Sequence, residues 1–101
     1  LSFHNTHILK GKIITEISHN SQLQHVIINC SSISNIDLSA LEMLHDLNQS
    51  LAQLNIQLHL SEVKSPVMDR LSSSKLADEL TGKIFLSHYQ AIQSLSPEML
   101  Q

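Results

Sequence analysis

Asn35-Ile36-Asp37-Leu38-Ser39-Ala40-Leu41-Glu42 separates two different apolar patterns. Before it, His25-Val26-Ile27-Ile28-Asn29-Cys30 is a short apolar run that reads as a buried strand, taken here as the central one. After it, Ala40, Met43, Leu44, Leu47, Leu51 and Leu54 recur at helical spacing, with Glu42, Asp46, Gln49 and Gln53 opposite. Asp37 and Ser39 therefore lie where a strand gives way to a helix, at the strand's carboxyl end. Open α/β sheets carry their ligand and regulatory sites at such ends.

Ser39 followed by Glu42 fits the capping box S-x-x-E, so Ser39 is expected to cap the helix. The amides of Leu38, Ser39, Ala40 and Leu41 would also attract an anion through free N–H groups and the helix dipole. Capping alone accounts for the spacing. Asp37 is read as a loop carboxylate that bonds nearby backbone amides.

The remaining elements follow outward from this junction. Leu1-Ser2-Phe3 alternates like the end of a strand. Asn5 or Thr6 can cap a helix to about Ile17, with Ile8, Leu9, Ile13, Ile14 and Ile17 apolar and Gly11 weakening it. Ile56-Gln57-Leu58-His59-Leu60 alternates as a strand does. Ser65-Pro66 starts a helix with Val67, Met68 and Leu71 as its apolar side, ended by Ser72-Ser73-Ser74. Thr81-Gly82 is a turn and Ile84-Phe85-Leu86 a short strand. Ser87 and Gln90 form a second capping pattern before Ala91, Ile92 and Leu95, and Pro97 stops that helix. Strands alternating with helices predict an α/β fold: a mixed, mostly parallel sheet of about four strands with helices packed against it.

The 101 residues allow one domain with one modest core. Aromatics are 3%, so that core is aliphatic. A net charge of −3 argues against nucleic acid as a partner and against a polybasic membrane patch. No apolar run approaches the roughly 20 residues of a membrane helix. The single cysteine, Cys30, excludes an intrachain disulfide and reads as a small buried hydrophobe. With only Gly11 and Gly82 present, neither glycine-rich phosphate motif exists. The histidines at positions 4, 7, 19, 25, 45, 59 and 88 lack metal-ligand spacing and read as scattered surface residues. No G-x-S-x-G elbow supports a serine nucleophile. The expectation is a non-enzyme without cofactor or metal. Lys64, Asp69 and Arg70 read as a solvated helix face.

Ile36-Asp37-Leu38-Ser39-Ala40-Leu41 after a strand, Val63-Lys64-Ser65-Pro66-Val67-Met68-Asp69-Arg70-Leu71, and Lys83-Ile84-Phe85 before a last helix resemble a STAS domain. The chain is most similar to the cytoplasmic C-terminal STAS domain of SulP-type anion transporters, the sulfate permease family. Its opening Leu1-Ser2-Phe3-His4-Asn5-Thr6 is similar to that family's L-x-F-x-N-A segment. Its Val63–Leu71 stretch is similar to the family's V-x-G-P-V-x-D-x-L run. The resemblance covers nearly all of residues 1–101, read as a single STAS domain cut from a larger membrane transporter. It implies that the domain's first strand lies before Leu1, which would leave an exposed sheet edge.

That strand's absence is one departure from the family pattern, and a second lies at the strand–helix junction. Relatives that antagonise anti-sigma factors are phosphorylated on a serine directly after the aspartate, where this chain has Leu38; Ala40 replaces the following glycine. Asn29 replaces an aspartate common at that strand end. The resemblance therefore implies a regulatory and interaction domain of a sulfate or related anion transporter. It would lie at the cytoplasmic face of the membrane and be soluble when isolated. Its partners would be the membrane part of the same transporter, a cytosolic protein or a second copy. Asp37, Leu38, Ser39, Ala40 and Leu41 form the expected contact loop. Two alternatives are a free-standing anti-sigma factor antagonist and a nucleotide or anion sensor.

Overall fold

Parallel strand pairing organises the chain. A computed structural model describes residues 6–95. The helices among them are α1 (Thr6–His19), α2 (Leu38–Gln53), α3 (Ser65–Ser72), α4 (Leu76–Glu79) and α5 (His88–Leu95). The strands are β1 (His25–Asn29), β2 (Gln57–Ser61) and β3 (Ile84–Phe85), in the order β1-β2-β3 with both pairings parallel. Among the described residues β2, not β1, is therefore the middle strand. The strand expected at Leu1-Ser2-Phe3, the cap at Asn5 and the stop at Pro97 lie outside the described residues.

Register sorts the side chains onto two faces. Ile28 pairs with Leu60 and Ile84 also pairs with Leu60, so these aliphatics share a face and join the core. α2 covers that face with Ala40, Met43, Leu44, Leu47 and Leu51. Fully burying one such leucine stabilises the fold by about 1.5–3 kcal/mol. α1 adds Leu9 and Ile13, while Val67, Leu71 and Leu76 come from α3 and α4. The opposite face carries His25, Ile27, His59, Ser61 and Phe85, and α5 lies across all three strands there. Parallel sheets need such cover on both faces.

Both ends of α2 are set locally. Its carboxyl end turns on Asn55, whose φ is 60°. The Asn55 N–H donates to the Ala52 carbonyl (3.0 Å) and the Ile56 N–H to the Leu51 carbonyl (2.9 Å), a Schellman closure that feeds directly into β2. Leu54 therefore caps the helix and is exposed, not part of the buried stripe. Asn48 takes the buried place that the stripe left to a polar residue. Met68 is likewise exposed, and the one-turn α4 was not foreseen.

Candidate functional site

The linker between β1 and α2 is held by its own side chains. Asn29 Oδ1 accepts from the Ser31 N–H (2.9 Å), and Asn35 Oδ1 from the Ile36 N–H (2.8 Å). The Ile33 N–H donates to the Cys30 carbonyl (3.0 Å), and Ile33 and Ile36 are buried anchors. An aspartate at position 29 would offer the same acceptor, so the substitution there preserves the turn.

Asp37 is the N-cap of α2, and this corrects the cap expected at Ser39. Asp37 has extended backbone (φ −95°, ψ 176°), and its Oδ1 accepts from the Ala40 N–H at 2.9 Å. Ser39 and Glu42 both lie inside the helix, so they cannot form the capping box. Both Asp and Ser are good caps; the chain leaves the extended region at the first of the two. The carboxylate also meets the positive end of the helix dipole.

Of the five residues expected to form a contact loop, only Asp37 precedes the helix; Leu38, Ser39, Ala40 and Leu41 form the first turn of α2, and the five divide by exposure. Leu38 is 64% exposed, Ser39 and Asp37 are exposed, and Leu41 is half-buried. Ala40 is fully buried and offers no contact surface. Leu38 and Leu41 continue into a cleft of about 420 Å³ between the first turns of α2 and the turn leading into α4. Its other lining residues include Glu42, His45, Asp46, Lys75 and Leu76. His45 Nδ1 lies 3.0 Å from Glu79 Oε2, which ties α2 to α4 beside the cleft.

The face under α5 holds groups that alternation alone does not reveal. His59 is 1% exposed, against the expectation of scattered surface histidines. Its Nδ1 accepts from the Lys83 backbone N–H (2.9 Å), so the ring proton resides on Nε2. That Nε2 is 3.0 Å from His25 Nδ1, which accepts it. Burial, then the electrostatic influence of His25 and of Lys83, lowers the His59 pKa from 6.5 to about 4. A Cβ on Gly82 would clash with the Leu58 carbonyl oxygen and with His59 Nδ1. Glycine is required there for close approach.

Ser61, Glu62 and His88 meet at the carboxyl end of β2. The Ser61 hydroxyl lies 2.8 Å from His88 Nδ1. Glu62, at φ 56°, accepts from the His88 backbone N–H (2.7 Å), not from its ring. Ser61 is fully buried, so this group of three fastens α5 and does not present a nucleophile. The Ser87 hydroxyl accepts from the Gln90 N–H (3.1 Å), which is one half of the second capping pattern expected from the sequence. Cys30 is buried, and burial raises its thiol pKa to about 11. It packs as the small hydrophobe expected.

The STAS domain family model matches residues 1–91. The chain belongs to the STAS domain family. This STAS domain is 38% identical over 88 residues to Sulfate transporter 1.3 of Arabidopsis thaliana, covering 85% of this chain and 13% of that protein. It is 30% identical over 105 residues to Sulfate transporter 3.1 of the same plant, covering 93% and 16%. It is 29% identical over 107 residues to High affinity sulfate transporter 2 of Stylosanthes hamata, covering 95% and 16%. The STAS domain thus spans 13–16% of the length of these curated relatives. Among its described residues no helix is long and apolar enough to cross a membrane.

Proposed function

We propose that residues 1–101 are the regulatory and interaction module of a membrane transporter of sulfate or a related anion, such as bicarbonate or a dicarboxylate. The observation that carries this reading is the match of 85% of the chain to one stretch of a sulfate transporter at 38% identity. The module lies at the cytoplasmic face and carries no transport step itself. It passes a conformational or partner signal to the membrane part of the same polypeptide, with a cytosolic protein or a second copy as further partners.

The contact surface is Asp37, Leu38, Ser39 and Leu41, at the start of α2. Leu38 supports contact over phosphorylation at that position, because it has no hydroxyl. The Asp37 carboxylate disfavours an anion sensor here, since an incoming anion would have to displace it from the Ala40 amide. The test is labelled-sulfate uptake by the full-length transporter carrying Leu38→Arg or Ser39→Glu. Both positions are exposed, so both variants should fold and reach the membrane in normal amount. Altered uptake is expected. Unchanged uptake with both variants overturns the contact assignment.

A further inference from the structure

The exposed side of α2 carries one sign of charge beside an apolar floor. α2 contains Glu42 and Asp46 and no lysine or arginine. Among the described residues neither carboxylate has an ion-pair partner. Leu38 lies three and four residues before Leu41 and Glu42, and these lie four residues before His45 and Asp46 respectively. They form a single stripe about two turns long, roughly 11 Å. Leu41 and Leu76 supply the apolar floor of the cleft and Leu38 its mouth, and among the described residues Lys75 is the only lysine or arginine that lines it.

We infer that this cleft, between the first turns of α2 and the Ser74–Leu76 turn, is a docking groove for an amphipathic helix of a partner protein bearing apolar residues on one face and lysine or arginine on its flank. The choice of partner follows from charge. An acidic helix would face Glu42 and Asp46, whereas a basic one pairs with both. Lys75, on the facing wall, repels the ligand's cations and so orients them toward α2. Leu38 is the anchor: an exposed leucine at the mouth of an apolar cleft loses water on docking, as helix-in-groove recognition requires. The docked helix needs about 12 residues to run the length of the stripe and flank it.

This assignment deepens the contact surface proposed above and rests on it. The test uses the 101-residue chain and two synthetic probes, followed by amide NMR shifts. One probe is a leucine-faced helical peptide of about 12 residues with lysines on its flanks; the other has glutamates in their place. The lysine peptide should shift Leu38, Leu41, Glu42, His45, Lys75 and Leu76, and the glutamate peptide should bind far more weakly. Leu38→Ser should weaken the lysine peptide roughly tenfold. Glu42→Lys with Asp46→Lys should reverse the preference between peptides. Leu54→Ser, at the other end of α2, should leave affinity unchanged.

Shifts centred elsewhere, equal binding of both peptides, or full affinity in Leu38→Ser overturns the groove. The two readings fail separately. Peptide binding as described with transport untouched by Leu38→Arg removes the transporter contact and leaves the groove. Altered transport without peptide binding does the reverse.

Discussion

Acid should unfold this domain earlier than its carboxylates alone require, and His59 is the reason. Its Nδ1 accepts the Lys83 N–H and its Nε2 faces His25, so an added proton has only Nδ1 to occupy. That would set two donors against each other inside a buried site. The folded pKa of about 4 lies below the ordinary 6.5, so the unfolded chain binds the proton more readily. The sign follows: the stability that neutral His59 confers is fully present above 6.5 and drains away as pH falls from there to about 4. At about 1.4 kcal/mol per pH unit, the loss sums to about 3 kcal/mol. That is a large share of the roughly 5–15 kcal/mol that holds a domain together. Urea denaturation at steps across this window measures it, with the ring proton resonances of His59 followed in parallel. His59→Asn supplies the control, because its Oδ1 can still accept from Lys83 and it cannot titrate. The variant should be weaker at neutral pH yet lose much less on acidification. Parallel losses in both proteins, or a His59 ring that titrates near 6.5 while folded, would refute the reasoning.

The two glycines should respond oppositely to alanine. Gly82→Ala drives a methyl against the Leu58 carbonyl and the His59 ring, so thermal denaturation should show a loss of about 1–3 kcal/mol or more. Gly11→Ala meets nothing within 4 Å in exposed helix and should stabilise by about 1 kcal/mol in the same assay. Asp37→Ala removes the cap of α2 and should cost about 1 kcal/mol by chemical denaturation, while Ser39→Ala should be near neutral; the reverse order would restore the capping box.

What the sequence made legible was whatever depends on neighbours along the chain. The α2 stripe, the Leu58/Leu60 alternation and the Ser87 cap were all readable from local spacing. The cap at Asp37 was missed because two adjacent capping residues compete, and spacing to Glu42 favours the wrong one. His59 was misplaced for a different reason. It occupies the polar phase of an alternating strand, which says outward in an antiparallel sheet. In a parallel sheet the outward face is covered too, here by α5, whose docking depends on contacts distant in sequence such as Ser61 to His88. Asn48 was invisible likewise: a polar residue on a helical stripe looks like an interruption until its partners are known.

Those partners explain how a strand of only two residues holds its place. β3 pairs with β2 through Leu60 and Ser61 alone. Asn48 Nδ2 donates to the Glu79 carbonyl (2.9 Å), and its Oδ1 accepts from both the Thr81 N–H (3.1 Å) and the Thr81 hydroxyl (3.2 Å). Thr81 Oγ1 in turn accepts from the Leu58 N–H (3.1 Å), and the Gly82 N–H reaches the Leu58 carbonyl (3.0 Å). The segment entering β3 is thus bolted to α2 on one side and to β2 on the other before the strand begins. Every polar atom of the buried Asn48 side chain is used, so the knot costs little in desolvation and leaves little freedom. It also makes the wall of the α2 cleft continuous with the histidine pair: Glu79 bonds His45 on the cleft side, and Gly82 abuts His59 on the other. Movement of α4 against α2 therefore cannot leave the approach to β3 undisturbed.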